Sequence, residues 1–283
     1  MRILVLGASG MLGNAVLRVM SAQDNCTVYG TLRTPNLALQ AVAPNAQLIH
    51  GIHAERLDNL VAAFAQSQPH LVINCVGLVK QLVCAEDPLE VVPINSVLPH
   101  QLAKLCELAS ARLVHISTDC VFSGGKGNYS ESDTPDACDL YGRSKLIGEV
   151  NYPHSITLRT SIIGHEIGRD HSLIGWFLSQ QGRVKGYTEA IFSGLPTCEL
   201  ARVVRDFVIP NPDLHGLYHL AAEPISKYDL LQLVNREYGK ALLIDPDDKV
   251  RINRSLNASR FKEATGYVAP KWSELISQMR TFH

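Results

Sequence analysis

Arg2-Ile3-Leu4-Val5-Leu6-Gly7-Ala8-Ser9-Gly10-Met11-Leu12-Gly13 is a short apolar run that stops on a glycine and continues as G-x-x-G-x-x-G. Such a run reads as a buried parallel strand. Apolar residues at 12, 15, 16 and 19 follow at helical spacing. In a strand–loop–helix context the three glycines have separate uses. Gly7 permits the tight turn, Gly10 lets the backbone approach a pyrophosphate, and Gly13 lets the helix lie close on the sheet. The helix N-terminus adds free N–H groups and partial positive charge. Gly7, Ser9, Gly10, Met11, Leu12 and Gly13 are therefore the expected contacts of a dinucleotide.

Working outward, strand and helix patterns alternate. Strands are expected at 27–32, 47–49, 71–76, 112–117 and 155–160, and helices at 57–65, 95–109 and 140–150. This order predicts right-handed βαβ crossovers and an α/β fold with a doubly wound parallel sheet. Residues 124–139 are rich in Gly, Ser, Asp and Pro and read as a loop. Beyond Gly164 the alternation becomes irregular. A helix is expected around 173–180 and another at 199–208. A strand at 216–221 may rejoin the sheet, and two or three helices with one short strand fill 223–283.

The second strand ends in Thr31-Leu32-Arg33 with no carboxylate to hold ribose hydroxyls. Arg33 suits a 2′-phosphate instead. NADP is thus expected ahead of NAD.

The bulk numbers exclude several classes. With 283 residues, 46% hydrophobic and 19% charged, the chain can bury a sizeable core. A net charge of −1 gives no reason to expect nucleic acid. No apolar run is long enough to span a bilayer, and the first apolar run is too short for a signal peptide, so a cytoplasmic location is expected. The 7 cysteines are an odd count without a C-x-x-C pair, which suits reduced thiols. His50 and His53 form an isolated H-x-x-H, and no metal is expected.

Chemistry concentrates in Thr118, Tyr141 and Lys145. A phenol is a poor acid or base near pH 7 unless its pKa of about 10 is lowered. A lysine at i+4 shares its helix face and can do this. Tyr267 and Lys271 repeat the spacing, but Pro270 lies between them and no Ser/Thr-ending strand precedes them. Tyr267 is therefore read as a packing or surface residue.

Further stretches carry a family resemblance: Ile73-Asn74-Cys75-Val76-Gly77, Ser117-Thr118-Asp119-Cys120-Val121-Phe122-Ser123-Gly124, Tyr141-Gly142-Arg143-Ser144-Lys145-Leu146-Ile147-Gly148-Glu149, Gly194-Leu195-Pro196-Thr197 and Gly216-Leu217-Tyr218-His219-Leu220. With the glycine loop, these resemble the extended short-chain dehydrogenases/reductases. Within them the chain looks most like the dTDP-4-dehydrorhamnose reductase (RmlD-like) branch. The resemblance implies a Rossmann sheet built by 1–163 and 197–222, and a smaller C-terminal α/β substrate-binding lobe built by 164–196 and 223–283. It implies a Thr118–Tyr141–Lys145 triad, with Cys75, Val76 and Gly77 also at the cofactor. Lys80, Thr118, Phe192, Ser193 and Thr197 would contact a nucleotide-sugar substrate, and a homodimer is one expected assembly. The activity implied is reduction of a nucleotide-linked 4-keto-6-deoxy sugar. An epimerase with retained cofactor and a non-catalytic NADP-binding regulatory subunit, like that of methionine adenosyltransferase, stay open. Related 4,6-dehydratases resemble Thr-Asp-Glu at the first triad position. Cys120 stands at that glutamate here, which argues against water elimination, and the reductase branch usually has tyrosine there.

Overall fold

A computed structural model describes residues 1–79, 86–168 and 172–283. From the N-terminus run β1 (Arg2–Leu6), α1 (Met11–Ser21), β2 (Thr27–Thr31), α2 (Leu37–Val42), β3 (Gln47–Ile49), α3 (Leu57–Ser67) and β4 (Leu71–Asn74). Then come α4 (Pro88–Val92), a π-helical turn at Pro93–Val97, α5 (Leu98–Leu108), β5 (Arg112–Thr118), α6 (Leu140–Ile147) and β6 (Ser155–Thr160). The later segment holds β7 (Ile162–Ile163), α7 (Leu173–Ser179), β8 (Arg183–Tyr187), β9 (Ala190–Phe192), β10 (Leu195–Pro196) and α8 (Thr197–Val203), which runs into a second π-helical turn at Val204–Val208. It closes with β11 (Gly216–His219), β12 (Ile225–Ser226), α9 (Lys227–Glu237), β13 (Leu243–Asp247), β14 (Ile252–Asn253), α10 (Ser259–Thr265) and α11 (Trp272–Phe282).

Among the described residues, the central sheet has seven strands in the order β11-β6-β5-β4-β1-β2-β3, and every pairing is parallel. β1 shows why the sheet is covered on both faces. Ile3 and Val5 enter a core with Leu17 and Met20 of α1 and Leu200 of α8, whereas Leu4 and Leu6 face Leu60 of α3 and Leu102 of α5. Alternation along one strand thus feeds two helical layers. The chain runs outward from β1 in both directions, so the strand order reverses between β1 and β4. The crevice at the carboxyl ends of these two strands is where ligands bind in open α/β sheets.

Two points differ from the sequence reading. The helix expected at 95–109 begins earlier, as the π-helical turn that includes Asn95, and becomes α5 only at Leu98. The late segment also holds more strand than expected. β13 pairs with β8, and β9 lies between β12 and β14.

The late segment is laced onto the loop after β5. Asn253 N donates to Gly124 O at 2.8 Å, Tyr129 N to Ser255 O at 2.9 Å, and Asn257 N to Tyr129 O at 2.7 Å. Arg254 Nε donates to Phe122 O at 2.7 Å. Tyr267 is buried and its hydroxyl donates to Glu199 at 2.9 Å, a packing role as read from its faulty neighbourhood. Among the described residues no helix is long and apolar enough to cross a membrane.

Candidate active site

The glycine loop occupies the crevice. Gly7 has φ +76°, and a Cβ on Gly13 would fall 2.0 Å from the Gly7 carbonyl oxygen. The loop is also fixed by its own bonds. Gly10 N donates to Gly7 O at 3.0 Å, and Gly7 N to the Thr31 hydroxyl at 3.3 Å. The buried Asn14 amide donates to Gly10 O and Met11 O at 3.0 and 2.9 Å. No side chain caps the start of α1, so its first-turn N–H groups are available to an anion. Ser9 and Gly10 are exposed beside it. Leu12 is buried in the core, which leaves only its backbone for a ligand. Arg33 stands exposed beyond β2. A cradle that only glycine fits, an open helix end and one free-standing guanidinium fit a dinucleotide phosphate.

Cys75, Val76 and Gly77 form the opposite lip. Asn74 Oδ1 accepts from Val76 N at 3.1 Å, and Asn74 Nδ2 donates to His115 Nδ1 at 3.1 Å. From the π-helical turn, Asn95 Oδ1 accepts from Leu78 N at 2.9 Å and Nδ2 donates to Leu78 O at 3.0 Å. The same amide reaches Ser144 Oγ on α6 at 3.2 Å.

The three chemistry-bearing residues meet at the carboxyl end of β5. Thr118 is buried; its hydroxyl accepts from Cys120 N at 3.1 Å and donates to Asp119 Oδ1 at 3.2 Å. α6 is started by Asp139, whose carboxylate accepts from Gly142 N at 2.7 Å. One turn separates Tyr141 from Lys145 on this helix. Burial pushes the Tyr141 phenol well above its ordinary range, and a hydrogen bond with Thr118 draws it back. Burial likewise pushes the Lys145 ammonium down, to about 8. The ammonium donates to Ile116 O at 2.8 Å. A Cβ on Gly77 would be 3.9 Å from its Nζ, so the lysine abuts the cofactor lip. The sequence led us to expect Lys145 to lower the phenol. In this state burial dominates, and the ammonium takes the carbonyl acceptor that a buried charge requires.

The remaining expected contacts divide. Lys80 lies outside the described residues. Phe192 is buried with its ring 5.7 Å from that of Trp272. Ser193 is buried and its hydroxyl accepts from Leu256 N at 3.0 Å. Thr197 is buried at the start of α8 against Gly164. These three brace the late segment. Sequence reading overlooked Asn95, Ser144 and the Asn74–His115 pair. A buried Asn two residues after Pro93, in an otherwise apolar stretch, was the available signal.

The family model of the RmlD substrate binding domain matches residues 1–280. The chain belongs to this family. Among curated relatives of this RmlD-family chain, a probable low-salt glycan biosynthesis reductase from Haloferax volcanii is 30% identical over 178 residues, 61% of this chain and 57% of that protein. The methionine adenosyltransferase 2 subunit beta of Danio rerio is 28% identical over 81% of this chain and 71% of its own length. The chain thus spans little more than half of the first relative and under three quarters of the second. Among solved structures, dTDP-4-dehydrorhamnose reductase from Bacillus anthracis, in complex with NADP, superposes with TM-score 0.79 at 18% identity, covering 100% of this chain and 99% of that one. That likeness establishes the Rossmann-type fold of the RmlD-family chain.

Proposed function

We propose that this chain is an NADPH-dependent reductase of a nucleotide-linked 4-keto-6-deoxy sugar. The observation that carries the reading is the buried cluster of Thr118, Tyr141 and Lys145 beside the Gly77 lip and opposite the glycine loop. When bound, the reduced nicotinamide supplies a hydride to the ketone carbon. Tyr141 gives its proton to the ketone oxygen as the C=O bond becomes C–OH, which leaves a tyrosinate. A phenol raised by burial is fully protonated at neutral pH, which suits a donor in the reductive direction. Thr118 orients the ketone oxygen through the hydroxyl that already bonds the phenol. Lys145, pushed down to about 8, is still mostly charged at neutral pH and close enough to lose a proton. It would steady the tyrosinate and return a proton from the interior.

Arg33 and the absent carboxylate after β2 support NADP over NAD, as does the NADP complex of the Bacillus anthracis relative. Cys120 cannot share acid–base work with Asp119 as a second carboxylate would, which supports reduction over dehydration.

A second reading has its own observation. The similarity to the methionine adenosyltransferase subunit covers more of the chain than that to the glycan reductase, which suits a non-catalytic subunit. Tyr141→Phe separates the two. We expect NADPH oxidation with keto-sugar nucleotides on dTDP, UDP or GDP to fall by about 10²–10⁴-fold, with NADPH affinity held within about twofold by fluorescence titration. Absence of turnover with all three nucleotide classes in the wild-type protein rejects the reductase and favours the subunit.

A further inference from the structure

Behind the triad, on the far side of β5, lies a buried ion pair that the reaction itself does not use. Glu149 Oε1 accepts from Arg159 Nε at 2.7 Å and from Ser117 Oγ at 2.7 Å. Glu149 Oε2 accepts from Arg159 Nη2 at 2.7 Å. The side chains are 10% and 3% exposed. Arg159 continues to His219 Nε2 at 3.3 Å, and His219 Nδ1 donates to Tyr129 O at 2.9 Å. The proton is thus on Nδ1 and the ring is neutral. Burial and Arg159 together push it down to about 4.

Glu149 is four residues beyond Lys145, so the two point along one side of α6. A Cβ on Gly148 would fall 1.9 Å from Asn95 O, so the helix end presses on the π-helical turn and turns Glu149 under the sheet. The last residues of β5 are then gripped in sequence. Ile116 O takes the Lys145 ammonium, the Ser117 hydroxyl takes the Glu149 carboxylate, and Thr118 faces the phenol. We propose that Glu149, clamped by Arg159 and Ser117, is a positioning residue that keeps Lys145 charged and in place without touching substrate or cofactor.

Two arguments support this. As a stability device a buried ion pair is weak, because desolvation offsets most of the attraction and apolar replacements are often neutral or better. Its location is what gives it use. Second, the groups bearing on Lys145 are Cys75 after β4, His115 on β5, Tyr141 on its own helix and Glu149. Burial pushes the Cys75 thiol up to about 12, His115 well below its ordinary value and Tyr141 upward, so all three are neutral at neutral pH. Glu149 is the one anion among them, and it opposes the burial that lowers Lys145.

The inference rests on the reductase reading for its purpose, but its test does not need turnover. In the cofactor-free protein the ¹³Cε resonance of Lys145, assigned by its loss in Lys145→Met, is titrated with pH. The double variant Glu149→Gln with Arg159→Gln removes both charges together and leaves no unpaired ion in the interior. We expect its Lys145 midpoint to fall by about one pH unit, a tenfold loss of ammonium at fixed pH. Glu149→Asp keeps the ion pair, and with it the fold, but withdraws the charge by one methylene. Its midpoint should fall by a smaller amount. A midpoint unmoved in Glu149→Asp, together with an unmoved or unfolded double variant, overturns the inference. A shifted midpoint in a protein that reduces no keto sugar upholds it and rejects the reductase reading instead.

Discussion

At the residue scale, the site is fixed by contacts that leave no room for a near-equivalent side chain. Gly13 shows this most simply. The Gly7 carbonyl oxygen that a Cβ would strike at 2.0 Å is backbone, so relief requires α1 to move off β1. Gly13→Ala should therefore cost about 3 kcal/mol, the upper end for an overpacked site. Urea unfolding would read that loss, and NADPH binding should disappear with it, because the helix end that faces the phosphates is what moves. An unchanged urea midpoint would mean that the loop yields instead. The same scale marks where sequence reading stopped. The residues of the glycine loop and the triad were legible because each has a chemical reason to be glycine, phenol or amine. Phe192, Ser193 and Thr197 were read as substrate contacts, yet in strands of two or three residues no periodicity says which way a side chain faces. Ser193 gives its hydroxyl to Leu256 N.

At the element scale, the π-helical turn at Pro93–Val97 couples the cofactor lip to the catalytic helix. Asn95 sits there because the wider turn carries its amide inward, to Leu78 on one side and Ser144 on the other. A π-turn has no repeating signature in sequence and is stabilised by such tertiary bonds, which is why 95–109 reads as one regular helix. β8 and β13 escaped for a related reason. Their partner is about sixty residues away, and Arg183-Val184-Lys185-Gly186-Tyr187 is too mixed to read alone. β1 to β6 were legible because each is an apolar run closed by turn residues and followed by a helix. Asn95→Ala would leave both polar groups of Leu78 without partners in a half-buried loop. It should cost about 3 kcal/mol, one to three for each orphaned group with partial rescue by water. Hydrogen exchange at residues 76–79 should quicken while α3 stays protected. Equal protection in variant and wild type would show that the lip stands without Asn95.

At the scale of the whole molecule, one apolar core runs from Ile3 through α1 and α8 to Leu230, Phe261 and Met279 in the late helices. Such continuity favours a single cooperative transition, which makes the pH dependence of stability readable as proton linkage. Three histidines are held neutral inside the fold. Burial drives His115 well below its usual value. Burial, with His283 stacked on its ring at 3.9 Å, takes His165 to about 4. Burial and Arg159 take His219 to about 4. In the unfolded chain each titrates near 6.5. Between pH 6.5 and 4 the unfolded state therefore binds more protons than the native state. Stability is fully present above about 6.5 and falls as pH drops through that window, by up to about 1.4 kcal/mol per pH unit for each histidine. Asp119, which burial pushes upward, takes a proton in the native state first and offsets part of the loss at the acid end. His219→Gln isolates one contribution, since an amide can accept from Arg159 and donate to Tyr129 O as the neutral imidazole does. Unfolding free energies from urea at a series of pH values should show the slope between pH 6.5 and 4.5 reduced by about one proton in the variant. An identical slope would show that His219 gains its proton without unfolding the chain.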